Sequence, residues 1–332
     1  MKTKVSIIVG FAVSALLLWL ALRNVEFGKL AASYAAVDAS YLPLAVLVVG
    51  LELFFRGCRW RLLLLPSNPS VRVMDAFRLE AAGLALNNIL PLRMGELARA
   101  TFAARLFNIP LLTVLATILV ERLLDVVVLL LMFIAAARLG GLTGGFLDYG
   151  GALWTLGAGV TAGIAALVFA DELVSHSWFA GFFRRFPRVK SLFERVAMGV
   201  KGFHSFKSGA LIMLFASLQW FLDAVLFVLL ARAFGLGGVI DIFKGVALVF
   251  AGAAAASVPG MPGYFGNYEL VLMKVLAVWG VAEETGFAYV SFAHVTGYLV
   301  MTLLGVFFIY QMGQSVGRVW GEFKSAAGGK KQ

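Results

Sequence analysis

Six stretches of this sequence are apolar for long enough to cross a bilayer, and two more are apolar but interrupted midway by proline and glycine. That pattern confines the chain to a membrane-embedded helical fold, because backbone polar groups in hydrocarbon must find partners within the protein. A span needs about 20 mostly apolar residues. Residues 5–22, 41–57, 111–137, 149–170, 210–231 and 287–310 read as spans. No small-residue cleavage site follows the first promptly, so it reads as a retained anchor. Composition agrees, with 61% apolar and 14% charged residues against about 45–50% and 25% in soluble domains. The net charge of +10 would suggest nucleic acid as partner of a soluble chain, but in a membrane protein Lys and Arg gather in cytoplasmic loops. No nucleic acid is therefore expected. The single Cys58 excludes an intrachain disulfide and a CxxC pair, and His176, His204 and His294 are scattered. Neither a metal nor a cofactor is expected.

The interrupted segments, 76–105 and 242–280, decide the topology. With a cytoplasmic N-terminus, the second span returns to a stretch holding Arg56, Arg59, Arg61, Arg72 and Arg78. If segment 76–105 enters and leaves from that side, the third span exits to a loop charged only at Asp148. The fourth then returns to a connector over 173–207 containing Arg184, Arg185, Arg188, Lys190, Arg195, Lys201 and Lys207. If 242–280 dips in from the exterior, the last span ends in a basic cytoplasmic tail, 318–332. Every strongly basic loop then shares one side, which a full crossing by either broken segment would violate. The expectation is an all-α polytopic protein of the cell (cytoplasmic) membrane. It has six full spans plus two oppositely oriented re-entrant hairpins in one domain, 1–317, with both termini cytoplasmic. Residues 41–137 and 210–310 become inverted repeats, the architecture of alternating-access carriers. The connector reads as an amphipathic stretch lying along anionic headgroups. The alternative for both broken segments is a pair of interfacial surface helices.

Polar residues inside apolar segments are costly and point to function. The first hairpin is broken at Pro91 and Gly95: one helix stops near Pro91, and a second begins just after it and carries Arg93, Glu96 and Arg99 at three-residue spacing. Its free N–H groups and arginines suit an anionic ligand, with Glu96 orienting the arginines. A salt-bridge ladder is the structural alternative. The 111–137 span carries Glu121, Arg122 and Asp125. Three such charges cost about 8–10 kcal/mol at roughly 2.5–3.5 each, and its apolar residues return a similar amount at about 0.3–0.6 each. These charges should face protein, with the hairpin charges as partners. The second hairpin is broken at Pro259, Gly260, Pro262, Gly263 and Gly266 and offers Tyr264, Asn267, Tyr268 and Glu269. An exterior loop is its plainer reading. His294 and Tyr298 read as a core polar pair.

The strings Asn88-Ile-Leu-Pro-Leu-Arg-Met-Gly-Glu96, Val120-Glu-Arg-Leu-Leu-Asp125 and Pro259-Gly-Met-Pro-Gly-Tyr-Phe-Gly-Asn-Tyr-Glu269 resemble the three hallmark motifs of the flippase-like lysylphosphatidylglycerol synthase transmembrane family. They stand in the expected order, and the resemblance spans nearly the whole chain. It implies a lipid-translocating membrane domain like that of the multiple peptide resistance factor, with stand-alone members linked to glycolipid or polyprenyl-linked sugar pathways. No stretch here resembles that factor's aminoacyl-transferase domain, so the resemblance does not extend to lysyl transfer. The third motif departs from the family's pattern at Tyr264, Asn267 and Tyr268. The residues it transfers are Arg93, Glu96, Glu121, Arg122, Asp125 and Glu269.

Together these readings give a carrier, not an enzyme, moving an anionic-headgroup lipid between leaflets. The lipid is a phospholipid or a polyprenyl phosphate with or without sugar, and no nucleotide motif is present. Arg93, Arg99 and Arg122 would meet the phosphate, with Tyr264 and Asn267 completing the headgroup site. Glu96, Glu121, Asp125 and Glu269 would form a charge network or carry protons. The competing hypothesis is a non-transporting partner that presents membrane lipid to a glycosyltransferase or lipid-modifying enzyme.

Overall fold

The computed structural model describes residues 2–90, 94–142, 205–257 and 262–313 and the isolated positions 155, 159, 162, 184, 185 and 317; for residues 2–10 it describes the backbone alone. The expected span 149–170, the tail 318–332 and all but the end of the connector 173–207 fall outside these residues apart from isolated positions. So do Pro91, Arg93, Pro259 and Gly260.

Among the described residues the protein is all-helical. The helices are α1 (Lys2–Leu22), α2 (Phe27–Ala35), α3 (Leu42–Leu64), α4 (Val73–Ile89), α5 (Met94–Phe107), α6 (Leu111–Leu139), α7 (Phe206–Ala233), α8 (Ile242–Ser257), α9 (Asn267–Val278) and α10 (Glu283–Gln311). Short 3-10 turns, Ala39–Tyr41 and Pro262–Tyr264, precede α3 and α9. The segments Ala39–Leu64, Phe206–Ala233 and Glu283–Gln311 are long and apolar enough to cross a membrane. At 29 residues α6 is also long enough, but Glu121, Arg122 and Asp125 interrupt its apolar middle. The chain bends by 88° between the end of α1 and α2. Before α3, the Asp38 side chain accepts from the Ser40 N–H, which holds its carboxyl below the usual carboxylate range.

Each broken segment forms two short helices that fold back on each other. With a rise of 1.5 Å per residue, α4, α5, α8 and α9 are about 25, 21, 24 and 18 Å long. All fall short of a hydrocarbon core of about 30 Å. In the first hairpin α4 and α5 run antiparallel, with Gly83 against Gly95 and Arg99, and Arg99 ion-paired to Glu80. Gly95 was expected to break the helix, yet it lies inside α5. A Cβ there would collide with the Gly83 carbonyl and Asn87, so close approach of the two arms explains this glycine. The second hairpin turns at real breaks: Gly263 and Gly266 have φ of 78° and 91°, and Tyr264 between them has φ of 60°.

The two hairpins open toward opposite ends of the bundle. Asp75 near the start of α4 and Arg105 near the end of α5 line one cavity with Met312, just beyond α10. At the other end, Lys244 near the start of α8 lies 5.4 Å from the Trp279 ring after α9, and Lys274 pairs with Glu283 at the start of α10. Packing is reciprocal. Helix α3 lies on α7, while α4 of the first hairpin lies on α10 and α8 of the second lies on α6. The contacts α3 to α4, α4 to α5 and α5 to α6 are repeated by α7 to α8, α8 to α9 and α9 to α10. Helix α1 packs on α9 and α2 on α10. Small residues also allow a close crossing of α10 and α4, where Gly305 rests on Ala81 and Ala85.

Candidate functional site

One polar layer runs through the first repeat and reaches α7. It is assembled from side chains that repeat along helix faces. On α3, Glu52, Arg56 and Arg59 form one stripe, and Arg56 Nε donates to Glu52 Oε1 over 2.6 Å. Arg59 is fully buried and donates through Nη1 to Asp125 Oδ1 over 2.6 Å and through Nη2 to Glu121 Oε1 over 3.0 Å. Arg99 of α5 donates to the other Glu121 oxygen over 2.6 Å, pairs with Glu80, and lies 4.3 Å from the Trp60 ring centroid. Asp125 also accepts from Gln219 Nε2 (3.1 Å) and Trp220 Nε1 (2.9 Å) of α7. Asp125 thus gathers donors from α3, α6 and α7, two of them guanidinium groups.

Arg122 differs from the other arginines. It contacts Asp125 Oδ2 at 3.2 Å and Glu96 Oε1 at 3.3 Å, and its side chain is 37% exposed where those of Arg59 and Arg99 are 0% and 3% exposed. The expected pairing between hairpin charges and α6 charges is present as Glu96 to Arg122 and Arg99 to Glu121. The Arg99 guanidinium, expected above at the lipid phosphate, is buried between Glu80 and Glu121. Arg56 and Arg59, read above as part of a basic loop stretch, lie inside α3, which continues to Leu64. Their carboxylate partners make that burial tolerable.

The hairpin tips meet at a second polar place. A cavity of about 220 Å³ lies between α7, α8, α9 and α10, with Asn88 at the tip of the first hairpin and Gly263 and Tyr264 at the tip of the second in its wall. The rest of its polar lining is Trp220, Asp223, Tyr268, His294 and Tyr298. Tyr298 joins the tips: its hydroxyl donates to the Asn88 carbonyl over 3.1 Å, and its ring lies against Gly263. The Asn88 amide donates to Thr302 over 2.8 Å. His294 does not pair with Tyr298. Its Nδ1 lies 2.6 Å from Glu269 Oε1, while Glu269 Oε2 accepts the Gly266 N–H over 2.6 Å. Glu269 therefore closes the start of α9 and anchors the histidine. Asn267 is buried and is not in the cavity wall. Trp220 connects the two polar places, since it lines the cavity and donates to Asp125. Asp223 lies in the same wall, within electrostatic reach of Glu52, Arg56 and Asp125. Among the described residues no group of three or more His, Cys, Asp or Glu side chains is arranged to hold a metal ion.

Sequence reasoning missed Arg59, Glu80 and Trp220 as members of the layer. The stripe at 52, 56 and 59 was the available signal, hidden by ending the span at 57. Glu80 carried the same signal as a lone carboxylate in an apolar arm. Trp220 carried none, because a tryptophan in a span reads as core or interface.

Comparison with known proteins places the chain. The profile of the "Lysylphosphatidylglycerol synthase TM region" family matches residues 7–305. A "UPF0104 membrane protein" of Methanothermobacter thermautotrophicus is 25% identical over 309 residues, covering 89% of this chain and 88% of that protein. No solved structure matches.

Proposed function

The chain belongs to the lysylphosphatidylglycerol synthase transmembrane-region family, and from that premise we propose that it is a carrier-type lipid translocase. It moves a lipid with an anionic headgroup, a phospholipid or a polyprenyl phosphate with or without sugar, between leaflets without an ATPase of its own. The observation that carries this reading is the cavity at the meeting of two oppositely opening hairpin tips. A chamber with polar side chains in a largely apolar wall, set between two reciprocally packed helix sets, is where a rocking carrier holds its cargo. The chamber's tyrosines, Asn88 and Asp223 suit the hydroxyls of a headgroup, and its aromatic rings suit the face of a sugar or polyol.

In this reading Arg122 is the guanidinium that meets the phosphate, being the partly exposed arginine of the layer. Arg59 and Arg99 are positioning residues that hold Glu121 and Asp125 in place. Glu96, Asp125 and Glu269 serve as a charge network more than as free proton carriers, since each is engaged by a basic partner. The tail of the lipid stays in the bilayer. The six-span, two-hairpin inverted topology belongs to the same proposal, with both termini cytoplasmic. The direct test is headgroup translocation in liposomes containing purified protein. Rates equal to those of empty liposomes for every phospholipid and polyprenyl-phosphate probe would discard the translocase.

The second reading, a membrane partner that presents lipid to a glycosyltransferase or synthase, draws on the self-paired state of Arg59 and Arg99. It requires no central chamber. The cavity at the hairpin tips therefore favours the carrier.

A further inference from the structure

At the open base of the first hairpin lies a second cavity, of about 420 Å³, that neither the polar layer nor the tip chamber uses. Among the described residues its wall comes from three elements. Near the start of α4, Asp75 and Arg78 stand three residues apart on one face; near the end of α5, Phe102, Arg105 and Leu106 do so at spacings of three and four; Met312 closes it from beyond α10. Arg78 has no carboxylate partner among the described residues, and its buried Nε has no hydrogen-bond partner there. Its guanidinium leans toward the Phe308 ring at 6.0 Å. Asp75 lines the same cavity without pairing to Arg78.

We propose that this cavity binds the phosphate group of an anionic amphiphile, held by Arg78 and Arg105, with the first carbons of its tail against Phe102, Leu106 and Met312. Two guanidinium groups from facing helix arms match the fork geometry that phosphate oxygens accept. Apolar walls beside them exclude a fully hydrated ion but accept an amphiphile. Leu106 is 58% exposed and Met74, one turn before Arg78, is 45% exposed, so the cavity's rim is apolar enough to meet acyl chains. The volume falls within the range of small-ligand sites, roughly 300–1,000 Å³. This site lies at the hairpin base, away from the tip chamber, and its occupation does not depend on translocation.

The test is saturable stabilisation of the full chain in non-ionic detergent, read as a shift in melting temperature. The titrants are short-chain phosphatidylglycerol, short-chain phosphatidylcholine and inorganic phosphate. The expected result is saturable stabilisation by phosphatidylglycerol, with at least a tenfold weaker apparent affinity in both Arg78→Gln and Arg105→Gln. Arg105 is exposed, so that variant folds even if Arg78→Gln does not. Arg72→Gln, which removes an equal charge from an exposed neighbour outside the cavity wall, should bind like the wild type. Stabilisation by phosphatidylglycerol alone assigns the lipid as source. Equal stabilisation by inorganic phosphate, lost in the same two variants, would show a site for the free ion and overturn the amphiphile. Phosphatidylcholine matching phosphatidylglycerol, equal loss in Arg72→Gln, or no saturable effect in the wild type overturns the proposal.

Discussion

Arg59 on α3 donates to Asp125 on α6 over 2.6 Å, and both lie inside the bundle. The pair does more than fasten two helices. The same guanidinium holds Glu121, and the same carboxylate accepts from Gln219 and Trp220 of α7, so three helices depend on it. Removing the cation leaves two carboxylates facing each other in a low-dielectric layer. Arg59→Ala should lose about 3–5 kcal/mol of stability, the usual cost of breaking a buried pair. Denaturation in mixed detergent measures it, and a loss under about 1 kcal/mol would mean that water already reaches the layer.

Arg99 and Arg122 should separate stability from transport. Arg99 is wrapped by Glu80, Glu121 and Trp60, so Arg99→Gln should lower the melting temperature markedly. Arg122 is over a third exposed, so Arg122→Gln should cost under about 1 kcal/mol. If Arg122 meets the lipid phosphate, losing that charged hydrogen bond, worth about 1.5–3 kcal/mol, should slow translocation by about ten- to a hundredfold. Liposome assays at matched protein content check this, and an Arg122→Gln rate equal to wild type would remove the residue from the site.

How far the sequence foretold this arrangement depends on what each signal measures. Hydropathy located the described long helices to within a few residues, except that α3 runs on from the expected end at 57 to Leu64, past Arg59 and Arg61. A hydropathy window treats Arg56 and Arg59 as terminal charges. Only the stripe they form with Glu52, and carboxylates from another helix, explain their burial. Pro91 and the prolines and glycines after Ser257 marked two interruptions, but proline and glycine do not report where the arms meet. That Tyr298 of the last helix ties the two tips together was invisible, because it depends on a crossing fixed by Gly305. The partner of His294 was misjudged for a related reason: spacing along one helix pointed to Tyr298, while Glu269 arrives from another.

Gly305 sets how closely the last helix approaches the first hairpin. A Cβ there would collide with the Ala81 carbonyl and press on Ala85. Gly305→Val should push α10 away from α4, at about 1–3 kcal/mol or more for overpacking. It should also weaken the Tyr298 to Asn88 bond that joins the tips. A melting temperature as high as the wild type's would show that the contact relaxes without cost.

Gly297 gives the opposite experiment. It lines the tip cavity, and a Cβ at that position meets nothing within 4 Å. Gly297→Phe should therefore fold with nearly unchanged stability while its ring occupies much of the 220 Å³ chamber. Translocation should fall to the level of empty liposomes. Full activity in a variant shown to fold would place the headgroup path elsewhere.

The opposite opening of the hairpins makes a prediction about membrane sides. Arg72 and Asn108 flank the first hairpin and Gly238 and Val278 flank the second, and all four are exposed. With Cys58, a buried residue and the sole cysteine of the sequence, replaced by serine, a cysteine at each site takes a membrane-impermeant label from one side only. Two re-entrant hairpins require positions 72 and 108 to label together from the cytoplasmic side, and 238 and 278 together from the other. If either segment crosses fully, the two members of its pair label from opposite sides instead. The basic end, with Arg61, Arg72, Arg78 and Arg105, should be cytoplasmic because translocating such clusters is disfavoured. Labelling of 72 and 108 from outside intact cells, with 238 and 278 protected, would keep the hairpins but invert the protein.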